Sequence, residues 1–389
     1  MTQPSAGDSS VADVYVRSVW MAYYELQALT QENDEEGFRK SIDNAFQTLK
    51  DMGFNTVTVQ VRPCADAFYR SDYFPSSRYC FGEQGCEMPY DPLAVMCEIA
   101  HAKQLKLEAW VNPYRVSQDN NIDALCDSHP AKKWYHDDTM RDSVYIGEKT
   151  IYFNPAGEGV EALIVNGVRE IVKNYAVSAV HFDDYFYPTT EKEIDREAYR
   201  KYCENGGKLP LADFRRETVT HMIKAVYQAV KEENSAVQFG ISPAANIEND
   251  YSVLYADVET WATEAGCCDY IVPQVYFGFC NTVLPFMQTV KRWEKLSQCP
   301  LYVGLPLYKA GKADEYAGKT EEAVNEFINN HDIIARQITY LSKCSHIGGY
   351  YVFSYGCLND ERCAEEVQNM LQAMQSSNPQ QHHSTLSSG

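Results

Sequence analysis

The 389-residue chain predicts an α/β fold, a single (β/α)8 TIM barrel, on three observations. Eight short runs rich in Val, Ile, Tyr, Phe or Trp alternate with segments of helical periodicity, the arithmetic of a closed ring of parallel strands covered by helices. Five runs close on a proline junction: Arg62-Pro63, Asn112-Pro113, Tyr187-Pro188, Ser242-Pro243 and Leu305-Pro306. Proline cannot continue a central ladder, so each marks the carboxyl end of a strand. The first run is followed by Tyr23 and Tyr24 and not by the glycine-rich phosphate loop of an open doubly wound sheet, which stays the weaker alternative.

The strands are expected at 18–24, 56–62, 106–112, 179–186, 237–242, 270–277, 301–307 and 349–354. Helices fill the gaps. Asn33 with Glu36 fits a capping box ahead of Phe38, Ile42, Ala45, Phe46 and Leu49, with Gly53 as the stop. Asp91 caps the next helix, with Pro92 in its first position. Further helical periods run over 159–174, 214–233, 253–265, 283–296, 333–343 and 363–374. The polar stretch 114–153 is a long insertion after the third strand, expected as a lid or a wall of a cleft. With no repeat and no linker, the barrel is expected to span 15–374, between disordered ends at 1–14 and 375–389. His382 and His383 belong to that tail, not to a metal site.

Composition narrows the function. A formal net charge of −20 without a basic patch argues against nucleic acid and anionic membranes as partners. No run reaches the roughly 18 apolar residues of a membrane span. The polar start Met1 to Ser10 has no apolar signal core, which reads as cytoplasmic, although a removed signal would leave the same start. Thirteen cysteines without zinc spacing read as reduced, buried residues. No metal and no cofactor is expected.

The richest segment is His181-Phe-Asp-Asp-Tyr-Phe-Tyr-Pro188, an apolar strand ending in two carboxylates, three tyrosines and a proline. Carboxylates at the end of a buried strand are costly unless a site uses them. Aromatic rings beside carboxylates suit a sugar cleft, in which rings stack on pyranose faces and carboxylates act as acid, base or nucleophile. Barrel sites lie at the carboxyl ends of the strands. The polar residues expected there are Tyr23, Tyr24, Glu25, Gln60, Arg62, Asp66, Asn112, Tyr114, Arg115, Ser242, Asn246, Gln274, Tyr276, Tyr308, Lys309, Ser354 and Tyr355, around His181, Asp183, Asp184 and Tyr185. Alternation turns His181, Asp183 and Tyr185 inward and Asp184 outward, unless the strand has ended and its loop turns back. Asp183 is the first choice for the reacting carboxylate, with Asp184 or Asp66 as its partner acid. The structural alternatives are an ion pair of Asp183 with Arg62 or Arg115, loop-bracing roles for Asp184 and Asp66, and a hydrogen-bonded barrel layer for His181. Gln274 and Asn112 are expected to orient sugar hydroxyls.

Taken in order, Phe54-Asn-Thr-Val-Thr-Val-Gln-Val-Arg-Pro63, Asp66-Ala-Phe-Tyr69, Glu108-Ala-Trp-Val-Asn-Pro-Tyr-Arg115, His181-Phe-Asp-Asp-Tyr-Phe-Tyr-Pro188, Phe239-Gly-Ile-Ser-Pro243 and Asp269-Tyr-Ile-Val-Pro-Gln-Val-Tyr276 resemble the bacterial glycosyl-hydrolase-like 10 family, once called domain of unknown function 187. The likeness covers about residues 15 to 356. It implies a barrel glycosidase acting on bacterial cell-wall or related N-acetylhexosamine glycans, at least one member being similar to a hydrolase of peptidoglycan strands stripped of peptides. It places the family's site positions on Arg62, Asp66, Asn112, Tyr114, Arg115, His181, Asp183, Asp184, Gln274 and Tyr276. The family usually has Asp-Gly where this chain has Ser178-Ala179. The alternatives are a sugar-binding barrel without catalysis and, more remotely, a metal-dependent deacetylase, for which the strand ends lack an Asp/His/His set.

Overall fold

The computed structural model describes residues 15–30 and 34–377. Eight parallel strands close a barrel: β1 (Val16–Met21), β2 (Thr56–Arg62), β3 (Lys106–Val111), β4 (Ala179–Phe182), β5 (Gln238–Ile241), β6 (Tyr270–Ile271), β7 (Leu301–Leu305) and β8 (Ile347–Phe353), with β8 pairing back onto β1. Trp20 lies opposite Phe353 in that closing pair, and Ser18 lies opposite Thr56 across β1 and β2. The expected barrel is therefore present, with shorter strands.

Two differences in length have clear causes. β1 stops at Met21 because Glu25 Oε2 accepts from the Ala22 backbone N–H at 2.8 Å, which starts a helix over Tyr23–Leu29. Tertiary position overrides the strand preference of the two tyrosines there. β6 keeps two residues. Pro273 cannot donate, so the ladder continues past it only as isolated bridges from Gln274 to Ala244 and Gly304. The second helix, Glu35–Asp51, is capped by Asp34, which accepts from Gly37 N–H at 2.7 Å. The expected cap Asn33 lies outside the described residues. Asp91 and Pro92 begin Pro92–Ala102 as expected. The segment 253–265 is shorter than anticipated: helices span Ile247–Ser252 and Val258–Thr263. The last helix, Ala364–Ser376, runs past the expected start of the tail at 375; residues 1–14 and 378–389 lie outside the described residues.

Two apolar bodies form the core. One lies between strands and helices. The other fills the barrel with Val16, Trp20, Trp110, Ala179, Tyr270, Val272 and Tyr351. The barrel filling is part polar. Thr58 Oγ1 donates to Glu108 Oε2 at 2.7 Å, and Tyr351 OH donates to Glu108 Oε1 at 2.9 Å. Burial raises the Glu108 pKa. Gly240 is required in this layer: a Cβ there would meet the Tyr270 ring at 2.0 Å.

The insertion after β3 folds as a three-stranded antiparallel sheet of Arg115–Ser117, Ile151–Phe153 and Val144–Ile146, beside the short helix Pro130–Tyr135. The cysteines depart from expectation in part. All thirteen are unpaired, but Cys203 is exposed, and Cys86, Cys126, Cys280, Cys299 and Cys344 are half-buried.

Candidate active site

A cavity of about 430 Å³ opens at the carboxyl ends of the strands. Its floor and walls carry Trp20, Trp110, Tyr276, Tyr308 and Phe353, with Tyr23, Tyr24 and Tyr185 beside them. Tyr24 and Tyr185 are 51% and 50% exposed, so their rings are open to a ligand. Its polar groups are Gln60, Arg115, Gln118, Asp183, Asp184, Ser242 and Gln274.

Asp183 is held from three sides. Trp110 Nε1 and Asn112 Nδ2 donate to its Oδ2 at 2.9 and 2.5 Å, and the Tyr185 backbone N–H donates to Oδ1 at 3.2 Å. The orientation of Asn112 follows from its other end. Its Oδ1 accepts from Gln60 Nε2 at 2.5 Å and from Arg115 Nη2 at 3.2 Å, which leaves the amide N–H groups for Asp183. Gln60 Oε1 in turn accepts from the Tyr23 backbone N–H at 3.1 Å. These donors favour the charged carboxylate, yet burial and the neighbouring Asp184 together push the Asp183 pKa up to about 7.

β4 ends at Phe182, so alternation no longer governs the next residues. The loop turns back and brings Asp184 to the same cavity as Asp183. Gln274 Nε2 donates to Asp184 Oδ1 at 3.1 Å and to the Ser242 carbonyl at 3.0 Å. Burial raises the Asp184 pKa as well. Two adjacent carboxyls with raised, mutually opposed ionisation titrate as a pair.

The remaining expected residues divide. Arg115, Tyr185, Gln274 and Tyr276 line the cavity, and Asn112 supports it from behind Asp183. The Arg115 guanidinium lies 4.9 Å from the Tyr185 ring centroid. Arg62 does not reach the cavity. The register shift after Gln60 turns it outward onto Phe74, 4.3 Å from the ring centroid, and toward Gly167 of helix Val160–Asn174, where an added Cβ would strike its Nη1. Asp66 is buried in the loop after β2, bound by Gln84 Nε2 at 2.8 Å, and braces that loop. His181 sits in the filled barrel interior, where Trp20 Nε1 donates to its Nε2 and the Tyr270 hydroxyl meets its Nδ1, both at 3.3 Å. Burial lowers its pKa to about 3, so the imidazole is neutral. Tyr114 is packed under the insertion, and Lys309 ties the Tyr276 carbonyl to Asp314 at 2.7 and 2.8 Å. Those five positions shape the site without lining it.

Gln118 was not anticipated. It follows the first strand of the insertion and donates to the Tyr23 hydroxyl at 2.8 Å, joining the insertion to the rim. The insertion thus supplies a wall through Arg115 and Gln118. Phe353 was also missed, although a large apolar residue at the end of β8 was the available signal.

A closed parallel barrel whose mouth gathers paired carboxyls, amides and aromatic rings defines a glycosidase-like (β/α)8 protein. The chain belongs to the Glycosyl hydrolase-like 10 family, which residues 15–319 match. It is 33% identical over 327 residues to glycosyl hydrolase YngK of Bacillus subtilis, covering 77% of this chain and 62% of that protein. It is 33% identical over 290 residues to glycosyl hydrolase DigH of Escherichia coli, covering 68% and 64%. The chain thus spans less than two thirds of either relative. Among solved structures, the PgaB (BpsB) glycoside hydrolase domain of Bordetella bronchiseptica matches with a TM-score of 0.59 at 12% identity, over 90% of this chain and 98% of that one. The β-amylase catalytic domain of Paenibacillus polymyxa matches with 0.57 at 13%, over 95% and 100%. These two likenesses concern the fold.

Proposed function

We propose that the protein hydrolyses O-glycosidic bonds of a bacterial glycan, of the peptidoglycan type or another N-acetylhexosamine strand. The observation that carries this reading is the pair Asp183 and Asp184 on one aromatic cavity. Asp183 accepts only N–H donors and suits the charged role, as nucleophile or as the stabiliser of an oxocarbenium-like transition state. Asp184, bound by a single amide, suits the proton donor to the leaving oxygen. Between them the pair retains a proton near neutral pH, which acid catalysis needs.

The lining supports that substrate class. Aromatic faces stack on pyranose rings, and Gln60, Gln118 and Gln274 offer amides to hydroxyl and acetamido groups. Among the described residues Arg115 is the one cation on the cavity, and it already binds Asn112 and the Pro63 carbonyl. That balance fits an uncharged N-acetylhexosamine at the cavity, which a peptide-free peptidoglycan strand offers at every second sugar, the others carrying a lactyl carboxylate. The resemblance of the sequence motifs to the family supports a cell-wall glycan.

The test is incubation with peptide-free peptidoglycan strands and with N-acetylglucosamine oligomers, followed by mass analysis of the products and titration calorimetry. New reducing ends support the reading. Binding without cleavage would replace it with a carbohydrate-binding role.

A further inference from the structure

Ser242 carries a buried hydroxyl that plays no part in the proposed chemistry. It follows the last residue of β5, and its backbone N–H still donates to the Phe182 carbonyl at 2.7 Å, so strand alternation holds as far as this residue. Gly240, two residues earlier, faces the barrel interior, where an added Cβ would strike the Tyr270 ring. The Ser242 side chain therefore points the same way, toward the barrel mouth, and the residue lines the cavity. Ser242 is 1% exposed, and among the described residues its Oγ has no hydrogen-bond partner. A buried hydroxyl without a partner is costly, so one kept on a cavity points to a group that arrives with the ligand. Gln274 stands beside it. Its amide N–H groups are spent on Asp184 Oδ1 at 3.1 Å and on the Ser242 carbonyl at 3.0 Å. Those two acceptors fix the orientation of the amide and leave Oε1 as the group that Gln274 offers. Among the described residues Oε1 accepts no hydrogen bond.

We propose that Ser242 and Gln274 together read the acetamido group of the sugar seated beside Asp184. The Ser242 hydroxyl donates to the acetamido carbonyl, and Gln274 Oε1 accepts the acetamido N–H. This rests on the reading of the cavity as a glycan site and adds the substituent by which the glycan is selected. An acetamido group brings one acceptor and one donor, which are the two partners that the end of β5 and the bridge beyond β6 lack. A deacetylated sugar brings an ammonium, which only donates and leaves the Ser242 O–H without an acceptor. Sites of this kind reject an analogue that leaves their buried polar groups unpaired. Because Gln274 also holds Asp184, the acetamido group it binds keeps the sugar next to the proposed proton donor. Strands stripped of their acetyl groups should therefore escape cleavage.

The test compares peptide-free peptidoglycan strands and N-acetylglucosamine oligomers with their chemically N-deacetylated forms. Titration calorimetry on Asp183→Asn reads binding without turnover, and reducing ends released by the wild type give kcat/KM. The acetylated forms should bind and turn over about tenfold better or more. Adding Ser242→Ala should shrink that preference by about tenfold in both measurements, through KM more than kcat, because the acetylated sugar alone loses a partner. The same variant should melt no lower than the wild type, since the removed hydroxyl bonds nothing in the free protein. A merely structural serine would lower the melting temperature and leave the preference intact, and either result would overturn the assignment. Equal cleavage of acetylated and deacetylated strands would overturn it too, while the hydrolase reading stood. Acetyl-dependent binding with no cleavage of any glycan would overturn the hydrolase reading and leave the acetamido contact standing.

Discussion

At the scale of single residues, the site depends on how one carboxyl is held. Replacing Asp183 with Asn preserves shape and removes a buried acid whose pKa is raised, so the fold should hold its melting temperature while turnover falls by about 10²–10⁴-fold, measured as reducing ends released. Trp110→Phe probes the same group differently. The indole N–H favours the charged form of Asp183, so its loss should raise the Asp183 pKa further above 7. Because the proposed chemistry needs that carboxylate ionised, the acid limb of the kcat/KM profile should move to higher pH. Much of this was readable from the chain: Asp183, Gln274, Tyr276 and Arg115 were named from strand ends and alternation. The outward turn of Arg62 was not readable, since a register shift of one residue reverses a side chain and leaves no mark in the residue pattern.

At the scale of elements, the loop after β4 carries both acids, and its far end is pinned by a buried pair. Arg215 Nε and Nη2 donate to the two oxygens of Asp195 at 2.7 and 2.8 Å, while the same guanidinium reaches the Thr190 and Tyr255 oxygens. Removing one partner strands the other charge in the interior. Arg215→Leu should therefore cost about 3–5 kcal/mol in chemical denaturation and raise KM for the glycan, since the loop bearing Asp184 and Tyr185 loses its anchor. The sequence could not show this pairing, because Asp195 caps one helix and Arg215 sits on the next, twenty residues on. Strand existence was legible from proline junctions and β-branched runs. Strand length was not, because the Glu25 side chain ends β1 by accepting from the Ala22 backbone N–H, and Pro273 ends β6 by lacking a donor, contacts that the β-rich run does not record.

At the scale of the whole molecule, buried acids set how stability changes with pH. Asp250, fully buried on the helix Ile247–Ser252, has a pKa near 3.8 when unfolded and about 9 when folded, because burial and the nearby Asp184 disfavour its charge. Between those values the unfolded chain binds fewer protons than the native one, so this group makes stability fall as pH rises. That sign is opposite to the usual salt-bridged aspartate. Asp250→Asn should accordingly melt at a higher temperature than the wild type at pH 8, with the difference shrinking toward pH 4, as read by scanning calorimetry. The hydrogen-bond chain from the Tyr23 backbone through Gln60 and Asn112 to Asp183 has a mechanical consequence of its own. It ties three neighbouring staves of the ring to a single proton-binding group, so any spreading of β1 from β3 is registered as a change of acidity at the mouth. The ionisation of Asp183 is thereby a gauge of whether the ring is shut.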